Sequence, residues 1–102
     1  MVWPFSRAVT EEEAATLRRR CASRASALAV CVKANEPRAC AAFAEDLELC
    51  RATVLCKTQA DAFMACVSAS EAAALIGGPR PDCTQQSARM SRCLRGFALP
   101  KK

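Results

Sequence analysis

The eight cysteines of this 102-residue chain fall into four pairs with one common spacing. Nine residues separate the members of each pair: Cys21 and Cys31, Cys40 and Cys50, Cys56 and Cys66, and Cys83 and Cys93. Ten residues of α-helix rise about 15 Å, whereas a disulfide keeps its two Cα atoms within about 7 Å. If each pair lies on a helix, its cysteines must therefore bond to cysteines of another helix.

Two antiparallel helices with equal cysteine spacings can be joined twice, because the outer cysteines meet each other and so do the inner ones. The pattern predicts the disulfides Cys21–Cys50, Cys31–Cys40, Cys56–Cys93 and Cys66–Cys83. In the alternative arrangement, the second and third pairs would form a hairpin. The chain would then have to reverse within residues 51–55, where the sequence RATVL contains no turn-forming residue.

The segments that carry the cysteines predict an all-α fold. Thr10 and Glu13 match a capping box, so the first helix should begin there and end near Ala34. Pro37 is compatible with the first turn of the next helix. There is no Gly or Pro from Arg38 to Ile76, which predicts one long central helix.

The central helix would carry both middle cysteine pairs, with a kink at residues 51–54 as the alternative to a continuous helix. In a continuous helix the two cysteine stripes would lie about 160° apart, on nearly opposite faces. Asp82 and Gln85 predict a capping box at the start of the third helix, which should end around Gly96. The expected fold is two disulfide-stapled antiparallel helical hairpins that share a long central helix.

This fold divides the chain into four parts. Residues 1–9 form an N-terminal extension, 10–54 the first hairpin, 55–98 the second hairpin, and 99–102 a basic tail. Hydrophobic residues make up 52% of the chain, but it has one Trp, four Phe and no Tyr. Because alanine and cysteine bury little area, we expect the disulfides to supply much of the stability.

The cysteine spacing does not indicate metal or redox chemistry. Zinc sites use closely spaced cysteines or histidines, and the chain has no histidine. Redox catalysts usually carry Cys-x-x-Cys, which is absent from this sequence. The carboxylates are scattered and form no recognisable acid–base pair. We therefore expect no catalytic, cofactor-binding or metal-binding residues, and a protein that is not an enzyme.

Paired Cys-x9-Cys motifs on helical hairpins resemble the coiled-coil-helix–coiled-coil-helix (CHCH) superfamily of the mitochondrial intermembrane space. A short chain with two such pairs of motifs (two twin Cys-x9-Cys motifs) resembles the PGIV-type family of accessory subunits (alpha-subcomplex subunit 8) of respiratory complex I. The linker CVKANEPRAC, residues 31–40, is also similar to that family's basic, proline-containing linker. The chain departs from the family in its short Cys50–Cys56 segment and its long Gly/Pro-rich Cys66–Cys83 link.

The resemblance implies a non-catalytic structural subunit of complex I (NADH:ubiquinone oxidoreductase) that stabilises the membrane arm and its assembly. It would lie in the intermembrane space, peripheral to the inner membrane, with other complex I subunits as partners. The alternatives are an assembly or metallochaperone factor for cytochrome oxidase, and a mitoribosomal CHCH protein. Eight paired cysteines also suit an oxidising compartment, and the first twenty residues lack the apolar core of a secretory signal.

The resemblance further implies a transient partner, the disulfide-relay machinery that oxidises such proteins during import. The relay contacts apolar residues near a cysteine. Five residues are candidates, and each is otherwise interpreted as a core residue between paired helices: Leu28, Phe43, Phe63, Met90 and Phe97.

Two further surfaces have functional interpretations. Arg18, Arg19, Arg20 and Arg24 form either a solvated helix face or a contact for acidic proteins, cardiolipin head groups or RNA. No aromatic residues are interleaved with them, so we expect no nucleic-acid partner. Trp3 and Phe5 are candidate docking anchors for a partner or for peripheral lipid contact. A transmembrane helix is not expected, because no apolar run is long enough.

Overall fold

The computed structural model describes residues 7–98, and within them the chain forms four α-helices. These are α1 (Glu11–Ala34), α2 (Ala41–Leu55), α3 (Lys57–Ile76) and α4 (Thr84–Arg95). The predicted all-α, disulfide-stapled fold is confirmed. Trp3 and Phe5, predicted as docking anchors, lie outside the described residues, as does the basic tail 99–102.

Helix α1 begins at the predicted capping box. The Thr10 hydroxyl accepts the Glu13 N–H at 3.0 Å, and the Glu13 carboxylate accepts the Thr10 N–H at 3.0 Å. The bond from the Thr10 backbone N–H is the main reason that the pKa of Glu13 lies below its ordinary value of 4.5; the Thr10 hydroxyl and the charge of Arg7 add to it, and desolvation opposes it. The helix ends at Ala34 as predicted.

The turn after α1 is followed by a short 3₁₀ helix, Pro37–Cys40, rather than by α-helix directly. Pro37 is the first residue of this short helix. A backbone N–H at that position has no partner within the helix, so the helix loses no hydrogen bond by having proline there. α2 then runs antiparallel to α1 and forms the first hairpin with it, joined by Cys21–Cys50 and Cys31–Cys40.

The predicted long central helix is interrupted at Cys56, so the structure has the kinked arrangement rather than the continuous one. Cys56 has φ −133° and ψ 54°, which is outside the helical region, and it is both the last cap of α2 and the first cap of α3. Its N–H still donates to Ala52 O at 2.8 Å, and its carbonyl accepts the Ala60 N–H at 2.9 Å. The two helices are thus joined by one residue, just beyond the predicted kink region 51–54.

The second hairpin consists of α3 and α4 and is joined by Cys56–Cys93 and Cys66–Cys83. α3 continues beyond Cys66 to Ile76, a further helical length of about 15 Å, before the chain returns to Cys83. Gly77 ends α3 in the left-handed conformation with φ 72°, which favours glycine. The end of α3 therefore projects past the last disulfide.

The capping box predicted for α4 is only partly correct. The Asp82 carboxylate accepts the Thr84 hydroxyl at 2.6 Å and the Thr84 N–H at 3.0 Å. These two bonds, the hydroxyl first, lower the pKa of Asp82. However, Cys83 is the N-cap residue, and among the described residues Gln85 makes no reciprocal bond. Helix α4 thus begins one residue later than predicted, and Asp82, which precedes the cap, stabilises its start through an Asp–Thr turn.

The two hairpins pack against each other through one apolar cluster. Its buried members come from α2, the α2–α3 joint, α3 and α4: Ala52, Leu55, Cys56, Ala60, Met90 and Leu94. Val9 and Leu17, from the beginning of the chain, pack against the same cluster. The two hairpins therefore share core residues on both sides of the break at Cys56, while Cys21 and Cys50 lie in a smaller cluster of their own.

A short pair of parallel strands closes the structure and was not predicted. β1 (Arg7–Ala8) pairs with β2 (Phe97–Ala98), and the Arg7 N–H donates to Gly96 O at 2.8 Å. The Arg7 guanidinium lies 5.0 Å from the centre of the Phe97 ring. In the part of the chain that the structure describes, no helix is both long and apolar enough to cross a membrane.

Candidate functional site

The four disulfides are the ones that the equal cysteine spacing predicted. They are Cys21–Cys50, Cys31–Cys40, Cys56–Cys93 and Cys66–Cys83, with Cα–Cα distances from 5.8 to 6.2 Å. These distances are ordinary for disulfides. All eight cysteines are consumed, so the chain retains no free thiol. The cysteines therefore act as covalent cross-links in this structure.

The four cross-links differ in exposure. Both cysteines of Cys21–Cys50 are buried, whereas both cysteines of Cys66–Cys83 are half-buried. The other two disulfides each join one buried and one half-buried cysteine. Thiol–disulfide exchange requires access to a sulfur atom. Cys66–Cys83, from which the end of α3 projects, is therefore the disulfide most open to exchange.

Arg24 lies across the most buried disulfide. Its guanidinium is 3.7 Å from the Cys50 sulfur and donates to Arg20 O at 3.0 Å. It also pairs with Asp46 of α2 at 3.3 Å. Because both side chains of this pair are about half exposed, we expect it to orient the helices more than to stabilise them.

The arginine cluster predicted on α1 is therefore divided. Arg20 approaches Thr53 of α2 at 3.5 Å, and Arg24 makes the contacts just described. Arg18 and Arg19 are exposed, as a solvated helix face requires. All four arginines are exposed, and two of them also contact α2.

The apolar residues proposed for import contacts have different positions in the folded chain. Met90 belongs to the core, and Leu28, Phe63 and Phe97 are half-buried against it or against the smaller cluster around Cys21–Cys50. Phe43 is 44% exposed. Core packing thus accounts for four of the five, as their simpler interpretation predicted, and Phe43 remains available at the surface.

A polar contact that the sequence did not reveal joins the hairpins. The Ser91 hydroxyl of α4 donates a hydrogen bond to the Glu48 carboxylate of α2, and both residues are partly buried. The two residues are 43 positions apart in the chain. No local pattern pairs residues at such a separation, so only the packing of α4 on α2 could identify them.

A groove of about 420 Å³ lies beside this contact. Its apolar lining includes Leu49, Phe63 and Val67, and its carboxylates are Glu45, Asp46 and Glu48 of α2. The groove combines an apolar floor with negative charge, although the chain as a whole has a net charge of +5. Asp46 is paired with Arg24, and Glu48 accepts the hydrogen bond of Ser91.

The projecting end of α3 carries the most exposed large apolar residues of the described chain. Leu75 is 89% exposed and Ile76 is 85% exposed. Val30, near the end of α1, is 68% exposed, and Val32 is 47% exposed. These side chains contribute little to the core and are accessible to partners.

Searches against protein-family models, curated proteins and solved structures found no match to this chain. The functional interpretation therefore rests on the cysteine pattern, the observed disulfides and the surfaces described above.

Proposed function

We propose that this protein is a non-catalytic structural subunit of the mitochondrial intermembrane space, and specifically an accessory subunit of respiratory complex I. The observation that supports this best is the complete use of eight cysteines in two doubly cross-linked helical hairpins. This small helical fold is CHCH-like, and two twin Cys-x9-Cys motifs in one chain are what the resemblance to the PGIV-type subunits rests on.

The disulfides support the proposed compartment. Disulfide-bonded proteins fold in oxidising compartments, whereas thiols are kept reduced in the cytosol and nucleus. Two of the bonds, Cys21–Cys50 and Cys56–Cys93, have sequence separations of 29 and 37 residues, so each requires a helical hairpin to form. This favours oxidation coupled to folding, as in the import of CHCH proteins.

The distribution of buried and exposed residues supports a structural role. The core is small, and its members are mostly cysteine, alanine and leucine. Covalent cross-links hold such helices in fixed positions although they bury little area. The acidic groove and the apolar end of α3 are then rigidly placed surfaces for neighbouring subunits on the intermembrane-space side of the membrane arm.

The decisive experiment is the migration of the tagged protein on native gels of gently solubilised mitochondria. We expect it to co-migrate with complex I and to leave that position when complex I assembly is blocked. A protein found with mitoribosomal particles or free of large complexes would contradict the assignment to complex I.

The compartment is tested separately by protease protection. The protein should be protected in intact mitochondria and digested once the outer membrane is ruptured, while a matrix protein stays protected.

Thiol alkylation of the mature protein tests the metallochaperone alternative, because eight disulfide-bonded cysteines give no labelling and a metallochaperone would expose free thiols. Labelling of the native protein would contradict the proposed structural role.

A further inference from the structure

The excess of positive over negative charge arises in the C-terminal part of the chain. The chain has 15 Lys and Arg residues and 10 Asp and Glu residues. Residues 1–83 contain ten of each and are neutral, whereas residues 84–102 contain five basic residues and no acidic one. The whole net charge of +5 thus comes from α4 and the segment that follows it.

The three arginines of α4 lie on one exposed face. Arg89, Arg92 and Arg95 follow each other at intervals of three residues, which places them within an arc of about 120° and a length of about 9 Å. All three are exposed, whereas Met90 and Leu94 on the other side of the helix are 3% and 8% exposed. Met90 and Leu94 therefore pack α4 against the core, and the opposite, outer face of the helix is basic.

These arginines are not neutralised within the described part of the chain. The ion pairs found there are Arg7 with Glu13 and Arg24 with Asp46. Glu48 lines a groove with Arg95, but its carboxylate accepts the hydrogen bond of Ser91 and makes no ion pair with the arginine. Arg7, held beside Gly96 and Phe97, lies at the same end of α4 but is paired with Glu13.

The arginine face of α4 is chemically suited to binding a flat surface that is rich in phosphate groups. Guanidinium groups bind phosphate oxygens with two parallel hydrogen bonds. Specific protein interfaces have an apolar centre, but the exposed face of α4 consists of Arg89, Arg92 and Arg95 with Gln85 and Ala88 and contains no large apolar side chain. Binding to single-stranded RNA normally adds aromatic stacking, and Phe97, the nearest aromatic residue in sequence, is half-buried beneath Arg7.

We propose that the outer face of α4, formed by Arg89, Arg92 and Arg95, binds the anionic surface of a lipid membrane by electrostatic attraction. Each basic residue near such a surface contributes about 1 kcal/mol, so three together raise membrane partitioning by about a hundredfold. The interaction needs no membrane-inserted segment. It does not depend on the assignment to complex I, because the isolated oxidised protein should show it.

The test is flotation of the full-length oxidised chain with vesicles of phosphatidylcholine alone or of phosphatidylcholine mixed with phosphatidylglycerol. We expect binding to the anionic vesicles only, and a steep loss of binding as salt is added. The triple variant Arg89→Gln, Arg92→Gln, Arg95→Gln should lose binding by up to about a hundredfold. The variant with Lys at the same three positions should retain most of it, because the charge is kept.

A matched control replaces three exposed arginines from the neutral part of the chain. The variant Arg18→Gln, Arg19→Gln, Arg38→Gln has the same net charge as the α4 variant and should bind nearly as wild type does. Equal loss in both variants would show that only total charge matters and would overturn the proposal. Wild-type binding to neutral vesicles, or to a single-stranded RNA but not to anionic vesicles, would also overturn it.

Helicity and the absence of free thiols establish that each variant is folded before binding is compared. If the glutamine variant does not fold, two wild-type measurements still decide whether membrane binding is electrostatic. These are the comparison of anionic with neutral vesicles and the dependence of binding on salt. Binding that is insensitive to salt would contradict the proposal.

Discussion

The Ser91 hydroxyl on α4 donates a hydrogen bond to the Glu48 carboxylate on α2, and this bond joins two hairpins that share no disulfide. Both residues are partly removed from water, so water competes less for this bond than for a surface contact. It lies next to the apolar cluster that the hairpins share. The relative position of the hairpins therefore depends on non-covalent contacts, whereas each hairpin is cross-linked internally.

The first prediction concerns this bond. Ser91→Ala should lower the free energy of unfolding by about 1–2 kcal/mol, because it leaves the Glu48 carboxylate without its donor. Denaturant unfolding of the oxidised protein measures the change. Ser23→Ala on the exposed part of α1 is the matched control and should change the stability by less than about 0.5 kcal/mol. If both variants lose the same small amount, the bond does not stabilise the hairpin interface.

The second prediction compares two disulfides with matched burial. Cys56–Cys93 and Cys31–Cys40 each join one buried and one half-buried cysteine, but their sequence separations are 37 and 9 residues. A disulfide that closes a longer loop removes more conformational entropy from the unfolded chain and therefore stabilises the folded protein more. Replacing Cys56 and Cys93 by Ala should lower the free energy of unfolding by about 4 kcal/mol. Replacing Cys31 and Cys40 by Ala should cost about 2.5 kcal/mol. Equal costs would mean that loop closure does not govern the contribution of each bond.

The third prediction concerns the order of reduction. Cys66–Cys83, in which both cysteines are half-buried, should be reduced first, and Cys21–Cys50, in which both are buried, should be reduced last. The reason is the access of the reductant to a sulfur atom. Limited reduction, alkylation and peptide mass spectrometry measure the order. Early loss of Cys21–Cys50 would show that local opening of the first hairpin, rather than static exposure, controls reduction.

The fourth prediction concerns pH. The pKa of Glu13 is lower in the folded chain than its ordinary value of 4.5, mainly because its carboxylate accepts the Thr10 N–H. The carboxylate therefore stabilises the fold above about pH 4.5, and this contribution is lost as pH falls through the lowered pKa. Glu13→Gln should lower the Tm at neutral pH, and the difference from wild type should shrink in acid.

Glu12→Gln is the control for the fourth prediction. Glu12 lies in the same first turn of α1 and is exposed, but its carboxylate does not take part in the capping box. Its removal should have a smaller effect on Tm than that of Glu13 at neutral pH. A Tm difference for Glu13→Gln that stays constant from neutral to acid pH would show that the capping box is not linked to the titration of this group.

Local patterns predicted several features correctly. The Thr10–Glu13 capping box needs only residues three apart, and it is formed as expected. The end of α1 at Ala34 and the proline-containing turn after it also follow from short-range geometry. At the start of α4, a local pattern was misjudged by one residue, because Asp82 bonds to Thr84 through an Asp–Thr turn that resembles a helix cap in sequence.

Features that depend on distant contacts were missed. The pairing of Arg7–Ala8 with Phe97–Ala98 joins the two ends of the described chain, and two-residue strands have no alternating pattern to detect. The basic face formed by Arg89, Arg92 and Arg95 was not predicted, although the expected burial of Met90 in the core is confirmed. The arginines of α1, more prominent in the sequence, turned out to be divided between helix contacts and solvent.

The pairing of the cysteines follows from their spacing, because the rise of a helix excludes a bond within each pair and equal spacings match two antiparallel helices. The break of the central helix at Cys56, in contrast, was seen only in the folded chain. That position has no helix-breaking residue, and a continuous helix would have kept the two hairpins on opposite faces. In the bent arrangement Leu55, Cys56 and Ala60 are buried with Met90 and Leu94 of α4 in one core, and packing of this kind cannot be read from local propensity.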